Sequence, residues 1–141
     1  MLSIEEKAKA VYNLLSQVYP HSPWQLSQII ADMQQEQVDY FLIFEGDLLV
    51  AFLAIQNLVG EIEITNIAVL PDYQGKGLAS RLMGNLSDAS ESVFLEVRES
   101  NHKAQALYRK HGFECVGKRP NYYKEPAEAA LIMKREGSHD R

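Results

Sequence analysis

The sequence predicts a single α/β domain with a mixed sheet, and three observations support that prediction. Its length of 141 residues suits one domain. Apolar residues recur at helical spacing near the N-terminus and give way to β-rich runs from Val38 onward. Turn-forming residues separate these runs, so the order of elements is two helices, three strands, a helix, a strand, a helix and two strands. That order describes one α/β domain.

Composition narrows the class of protein. Hydrophobic residues make up 46% of the chain and charged residues 23%, as in folded globular proteins. The 14 basic and 19 acidic residues give a formal net charge of −5, so we expect no nucleic-acid or membrane partner. The longest apolar run, Leu48 to Ile55, is too short for a membrane span, and Met1 to Leu15 lacks the apolar block of a secretory signal. We expect a soluble, cytoplasmic protein.

Two helices are predicted before the first strand. Ser3 and Glu6 have the spacing of a capping box, ahead of an apolar stripe that ends at Pro20. Ser22 is the predicted cap of the second helix, because a proline follows it at the first helical position. Trp24 belongs to the apolar stripe of that helix.

Strand periodicity begins at Val38. Residues 38–44 and 48–55 are β-rich runs around a short turn, which predicts a hairpin, and residues 61–69 alternate acidic and apolar residues. The next predicted element is a helix that starts near Gly75 and fades among residues 87–92, followed by a strand over residues 93–97. A further helix is predicted to be capped at residues 100–101 and to end at Gly112. The last predicted strands cover residues 113–116 and 130–133, with an irregular stretch between them.

The turn after the third strand is the most informative segment. The strand ends at residues 67–69, Pro71 breaks it, and Gly75 and Gly77 open a helix. Glycine leaves backbone amides uncovered, and amides at a helix N-terminus can hold phosphate. The turn therefore suggests a pyrophosphate site, with a plain strand-to-helix turn as the alternative. The spacing fits neither a P-loop nor a Rossmann turn, because Ser80 stands where a third glycine would fall.

A family resemblance extends this interpretation. The pattern Gln74-x-x-Gly77-x-Ala79 resembles the acetyl-CoA signature of the GCN5-related N-acetyltransferase (GNAT) superfamily. The matching order of later motifs is similar to the RimI-type branch, which acetylates the N-terminal alanine of a small-subunit ribosomal protein. Those motifs are Leu95-Glu96-Val97-Arg98, Ser100-Asn101, Ala106-Leu107-Tyr108, His111-Gly112-Phe113 and Arg119-Pro120-Asn121-Tyr122-Tyr123. The resemblance covers Trp24 to Lys134.

The resemblance implies a GNAT-type fold. It predicts one N-acetyltransferase domain over residues 1–136, a frayed tail over residues 137–141, and a mixed, mostly antiparallel central sheet flanked by helices on both faces. Family members usually begin with a strand, and only Met1-Leu2 precedes Ser3 here. The first strand is therefore predicted to be missing or vestigial.

The resemblance also implies roles for individual residues. Glu96 matches the general base and Tyr108 the general acid. The implied acetyl-CoA-binding residues are Ile67, Ala68, Val69, Gly75, Lys76, Gly77, Leu78, Ala79, Ser80 and Asn101. The implied acceptor-binding residues are Trp24, Glu63, Tyr122 and Tyr123.

These roles agree with the chemistry. Attack on a thioester needs an uncharged amine, and the reference pKa of an α-amine, about 7.7–8.0, lies well below the lysine value of about 10.4. A carboxylate such as Glu96, acting through water, is an adequate base for a terminal amine. Tyr108 can give a proton to the departing thiolate, and backbone amides near residues 67–69 can stabilise the oxyanion. No metal is required.

Each role has a plainer alternative. Glu96 can be an ion-pair residue beside Arg98, Tyr108 a packed core tyrosine and Asn101 a helix cap. Trp24 can serve only to anchor the second helix. The remaining alternatives place Tyr122 and Tyr123 in a surface loop and Glu61 and Glu63 on a solvated strand face. Cys115 is predicted to be a small filler of the core.

The leading hypothesis is acetyl-CoA-dependent acetylation of a protein N-terminus, with the N-terminal alanine of a ribosomal protein as acceptor, in a ternary complex. One alternative is an acetyltransferase that acts on lysine or on a small-molecule amine. Another is a non-catalytic CoA-binding module that docks on a partner protein. The presence of both Glu96 and Tyr108 favours catalysis, because binding alone needs neither residue.

Overall fold

The computed structural model describes residues 1–124 and 126–137. The chain begins with two helices, α1 (Ile4–Val18) and α2 (Leu26–Met33). The elements that follow are β1 (Val38–Glu45), β2 (Leu48–Leu58), β3 (Glu61–Val69), α3 (Leu78–Met83), β4 (Ser92–Arg98), α4 (His102–Lys110), β5 (Glu114–Lys124) and β6 (Ala127–Arg135), with short 3-10 turns at Pro71–Tyr73 and Gly84–Leu86. The predicted tail lies outside the described residues from position 138 onward.

The strands form one sheet in the order β1-β2-β3-β4-β6-β5. β1 pairs antiparallel with β2, β6 pairs antiparallel with both β4 and β5, and β3 pairs parallel with β4. The prediction of a mixed, mostly antiparallel sheet is confirmed. Residues 1–3 form no strand, and two helices precede β1.

The chain packs as two compact units. The first contains residues 1–57 and 65–85, and the second contains residues 58–64, 86–124 and 126–137. β3 contributes to both units, because its residues 61–64 belong to the second and its residues 65–69 to the first.

The first unit builds its core from α1, α2 and β2. The capping box is confirmed, since the Glu6 amide donates to the Ser3 hydroxyl (3.1 Å) and the Ser3 amide donates to the Glu6 carboxylate (2.9 Å). β2 is buried at every residue from Leu49 to Ile55, so it forms a continuous apolar run without alternation. Burial on both faces explains why its sequence is apolar at successive positions.

The predicted start of α2 is wrong by three residues. The helix begins at Leu26, and the Gln25 amide is capped by the Gln28 side chain at 2.8 Å. The Ser22 hydroxyl donates to the Trp24 carbonyl at 2.6 Å, which stabilises a turn before the helix. The serine-proline signal therefore marks this turn.

The predicted extent of α3 is also too long. The α-helix runs only from Leu78 to Met83, and a 3-10 turn continues it to Leu86. Gly77 has a φ of +80°, which is left-handed, so the helix cannot extend back to Gly75.

The strands of the second unit differ from those predicted for the C-terminal region. The stretch between residues 116 and 130 that was predicted to be irregular contains the second half of β5 and the start of β6, and these two strands pair with each other. The register of β5 shifts between Arg119 and Tyr123, where Asn121 has a φ of +56°. Cys115 is exposed on this strand, so its assignment to the core is wrong.

Among the helices of the described residues, none is both long and apolar enough to cross a membrane.

Candidate active site

The glycine turn in the first unit presents exposed backbone. After Val69 the chain passes through the short 3-10 turn, and the Gln74 side chain donates to the Val69 carbonyl at 3.0 Å. Gly75 and Gly77 have φ values of +78° and +80°, and a Cβ added at either would meet no atom within 4 Å. The space beside both glycines is therefore open, and the first-turn amides of α3 have no acceptor within the helix itself. This arrangement fits a pyrophosphate group.

The same turn carries positive charge beside a cavity. The Lys76 ammonium lies 5.2 Å from the centre of the Tyr73 ring, and the Tyr73 hydroxyl donates to Glu45 at 3.3 Å. The cavity has a volume of about 390 Å³. It is lined by Ile43, Phe44, Glu45, Val50, Asp72, Tyr73, Lys76, Leu78 and Arg81.

Trp24 also belongs to the first unit. It is half-buried against the α1–α2 core and lines a cavity of about 830 Å³ with residues of both helices, among them Tyr12 and Ile30. Its ring therefore anchors the start of α2 and also faces open space. An acceptor role for Trp24 stays a prediction.

Glu96 lies on the polar face of β4 in the second unit. Its strand neighbours Leu95 and Val97 are buried on the opposite face, and the Glu96 side chain is 14% exposed. Arg119 Nε lies 3.1 Å from Glu96 Oε2, which is an ion-pair distance. The N–H direction does not meet hydrogen-bond geometry, so Oε2 is a buried oxygen without a hydrogen-bond partner among the described residues. This carboxylate keeps acceptor capacity that the fold does not use.

Glu96 is an ion-pair residue, as its plainer alternative predicts, and its partner is Arg119. Arg98 instead pairs with Glu128 at 3.2 Å, and Glu128 also accepts a hydrogen bond of 2.5 Å from the Ser100 amide. These contacts tie β4 to β6 at the start of α4. Glu96 forms its ion pair with Arg119.

Two of the predicted acceptor residues lie close to Glu96. Glu63 pairs with Phe94, two residues before Glu96 along β4, and its pKa is raised by burial and by the negative charge of Glu96. The pKa of Tyr122 is raised chiefly by the charge of Glu96 and by burial, while Arg119 lowers it. The structure thus brings Glu63, Glu96 and Tyr122 together.

The register shift in β5 explains the position of Tyr122. Residues 120–122 have no partner in the β5–β6 register, and the left-handed Asn121 redirects the chain there. The Tyr122 ring meets the Tyr123 ring edge-on at 5.1 Å, and the Arg98 guanidinium lies 4.2 Å from the centre of the Tyr123 ring. The surface-loop alternative is therefore wrong, because both tyrosines lie in a strand.

Arg119 is the residue of this cluster that sequence reasoning missed. It stands in the quoted motif ahead of the two tyrosines. A correct assignment of β5 as a long strand would have placed it on the sheet, because Arg119 pairs with Ala130 of β6.

Asn101 and Tyr108 lie on α4 of the same unit. The Asn101 side chain accepts a hydrogen bond from the Ala104 amide at 3.1 Å, so its capping role is confirmed. Tyr108 is 6% exposed, and its ring lies 5.9 Å from that of Phe113. Tyr108 is therefore a core residue, and its role as an acid stays a prediction.

Comparison with known proteins identifies the family. The family model described as the acetyltransferase (GNAT) family matches residues 8–113. The ribosomal protein bS18-alanine N-acetyltransferase of Haemophilus influenzae is 35% identical over 119 residues, which are 79% of this chain and 80% of that protein. The crystal structure of the ribosomal-protein-S18-alanine N-acetyltransferase from Escherichia coli matches with a TM-score of 0.82 and 32% identity, over 95% of this chain and 90% of that one.

The chain therefore belongs to the GNAT family of N-acetyltransferases, and the predicted fold and enzyme class are confirmed. Its resemblance to the RimI-type branch is confirmed by the names of these relatives. An uncharacterized protein of Mycobacterium leprae is 37% identical over 121 residues, which are 82% of this chain and 34% of that protein. The chain thus spans about a third of the length of that relative.

Proposed function

We propose that this protein transfers the acetyl group of acetyl-CoA to the α-amino group of a protein N-terminus. The proposed acceptor is the N-terminal alanine of a small-subunit ribosomal protein, bound together with acetyl-CoA in a ternary complex in the cytoplasm. The names of the relatives support the acceptor. The observation that supports the chemistry best is the buried Oε2 of Glu96, which has no hydrogen-bond partner among the described residues.

The glycine turn is the proposed site for the donor. Acetyl-CoA supplies an activated acetyl thioester. The backbone at Ile67–Val69, Gly75–Ser80 and the side chain of Asn101 are proposed to hold it, and the left-handed glycines with open space beside them support this assignment. Lys76 adds a positive charge at the same turn, which favours an anionic group. Binding of the donor needs no metal.

Glu96 is the proposed general base. A carboxylate oxygen that is buried yet not hydrogen-bonded can accept a proton from the acceptor amine, directly or through one water molecule. Glu63 and Tyr122 lie beside it and are proposed to contact the acceptor, with Tyr123 and Trp24. Tyr108 is proposed to return a proton to the thiolate.

An α-amine suits this base better than a lysine does. The α-amine, with a reference pKa of about 7.7–8.0, is already uncharged in a substantial fraction of molecules near neutral pH. The reference pKa of lysine, about 10.4, is more than two units above that of the α-amine, so a lysine amine is almost entirely charged near neutral pH. A carboxylate that works through water therefore favours a protein terminus.

The test uses three peptides and the purified protein. The first peptide begins with a free alanine, the second is the same peptide with a blocked terminus and an internal lysine, and the third begins with serine. Each is incubated with acetyl-CoA, and mass spectrometry locates the acetyl group. We expect label on the alanine α-amine.

The other outcomes distinguish the alternatives. Label confined to lysine would replace the proposed acceptor with a lysine. Binding of CoA without modification of any peptide, or of a panel of small amines, would favour the non-catalytic module that docks on a partner.

A further inference from the structure

Three charged side chains form the cluster around Glu96. The negative charge of Glu96 and the positive charge of Arg119 both act on the Glu63 carboxylate, and the Arg119 guanidinium lies 3.1 Å from Glu96. Two carboxylates beside one guanidinium leave one negative charge without a balancing cation when both acids are ionised. Such a cluster attracts a further cation, and the proposed acceptor brings one as an ammonium group.

We propose that Arg119 is a displaceable counter-ion that occupies the place of the acceptor ammonium beside Glu96 until the acceptor binds. This inference rests on the proposed function, because it takes Glu96 as the group that meets the amine. When the acceptor arrives, its ammonium replaces the guanidinium at Oε2, so that one cation is exchanged for another. Glu96 is therefore never left buried without a positive neighbour, which would be costly.

Exposure shows which partner of the pair can move. The Glu96 side chain is 14% exposed, whereas the Arg119 side chain is 57% exposed. Arg119 lies on β5, the last strand in the sheet order, beside the register shift. Its long side chain can therefore leave towards solvent while the carboxylate stays in place.

The contact itself is weakly held. Nε lies 3.1 Å from Oε2, but the pair lacks hydrogen-bond geometry, so it does not form the directed, charge-assisted bond that makes arginine pairs strong. The guanidinium also lies 5.6 Å from the centre of the Tyr122 ring. This cation–π contact does not depend on Glu96, so the guanidinium can keep it when the acceptor ammonium takes its place at Oε2.

A displaceable guanidinium has a consequence for specificity. Acceptors that carry a cationic amine can compete with Arg119 for Glu96, whereas an acetylated product or a neutral amide cannot. The exchange therefore favours binding of the amine and release of the product. Arg119 acts in this scheme as a positioning residue that works through Glu96.

The experiment compares Arg119→Gln with Lys118→Gln. Both substitutions remove one positive charge from adjacent positions of β5, but Lys118 pairs with Glu99 at 2.5 Å and has no part in the Glu96 cluster. The probes are an alanine-starting peptide with a free terminus and the same peptide with an acetylated terminus. Calorimetry near pH 7.5, just below the α-amine reference value of about 7.7–8.0, measures their binding without acetyl-CoA. Steady-state kinetics then measures KM and kcat.

We expect Arg119→Gln to bind the free-terminus peptide about two- to fivefold more tightly, as loss of a competing ion pair whose arginine is exposed predicts, and to lower KM by the same factor with little change in kcat. Binding of the acetylated peptide should not change. Lys118→Gln should match the wild type, and Arg119→Lys should restore most of the wild-type KM.

Two results would overturn the inference. A higher KM in Arg119→Gln would show that the guanidinium contacts the acceptor directly. Unchanged binding of the free-terminus peptide, or equal binding of both peptides in both proteins, would show that no exchange occurs. Failure of the wild type to acetylate an α-amine is a separate result, and it contradicts the proposed function.

Discussion

Glu63 and Glu96 share one face of the sheet. Glu63 pairs with Phe94 in the parallel β3–β4 ladder, and Phe94 precedes Glu96 by two residues, which is one strand period. Burial raises the pKa of Glu63, the charge of Glu96 raises it further, and Arg119 lowers it. Ionised Glu63 therefore destabilises the folded state whenever Glu96 is also ionised.

That destabilisation predicts a pH-dependent effect of Glu63→Gln on stability. Because the pKa of Glu63 is higher in the folded state, the folded protein binds more protons, and the destabilising contribution grows as pH rises from the unfolded value through the folded one. Removal of the carboxylate should therefore stabilise the protein at neutral pH, by less than about 1 kcal/mol since the side chain is partly exposed. Thermal unfolding followed at several pH values measures the gain.

The control is Glu61→Gln on the same strand. Glu61 alternates with buried Ile62 as Glu63 does, but it pairs with Ser92, farther along β4 from Glu96. It should show a smaller gain. A gain for Glu63→Gln that persists unchanged well below pH 4.5, the ordinary pKa of a glutamate, would contradict the prediction.

Glu96→Gln should remove turnover and spare donor binding. Glutamine keeps the size of the side chain but cannot accept the proton, so kcat should fall by roughly 10²–10⁴-fold, the usual contribution of a general base. The KM for acetyl-CoA should not change, because the glycine turn is intact. A variant that retains wild-type kcat would remove Glu96 from the mechanism.

Tyr108→Phe tests the proposed acid without disturbing the core. The ring that packs against Phe113 is kept and only the hydroxyl is lost, so kcat should fall by roughly 10²-fold while affinity for acetyl-CoA stays the same. Tyr40→Phe is the matched control, because it also removes one hydroxyl, which donates to Asp32 at 2.6 Å. Equal kcat values in the two variants would leave Tyr108 as a core residue alone.

The sequence predicted local features better than it predicted clusters. The capping box at Ser3 and the cap at Asn101 depend on residues three positions apart, so spacing alone reveals them. The bounds of β3 were predicted correctly because acidic and apolar residues alternate along it. The cofactor role of Asn101 and the acceptor role of Glu63 came from the family resemblance and stay predictions.

Features that depend on strand pairing were missed. The second half of β5 contains proline, asparagine and tyrosines, which local signals assign to an irregular stretch. This half of β5 is a strand because it pairs with β6, and the same pairing positions Arg119 beside Glu96. Spacing along β4 points only to Arg98 as a neighbour of Glu96, so the ion-pair partner Arg119 was missed.

Asn101 combines a confirmed cap with a proposed contact to the donor, and two substitutions separate these roles. Asn101→Ala removes the bond to the Ala104 amide and should cost about 1 kcal/mol of stability. Asn101→Asp keeps an equivalent cap and should retain stability. If Asn101 also contacts acetyl-CoA, the added charge in Asn101→Asp should raise the KM for that anionic donor. Thermal unfolding and steady-state kinetics distinguish the two effects, and an unchanged KM would leave Asn101 as a cap only.

Gly77→Ala tests the glycine turn against a turn with the same backbone. Gly77 has a φ of +80° and Gly60, between β2 and β3, has a φ of +78°, and a Cβ at either meets nothing within 4 Å. Both alanine variants should therefore lose about 1–2 kcal/mol through backbone strain alone. Only Gly77→Ala should also raise the KM for acetyl-CoA, because its methyl group projects into the space where the pyrophosphate is proposed to lie. Equal KM values in two variants of matched stability would show that the donor does not approach the backbone at Gly77.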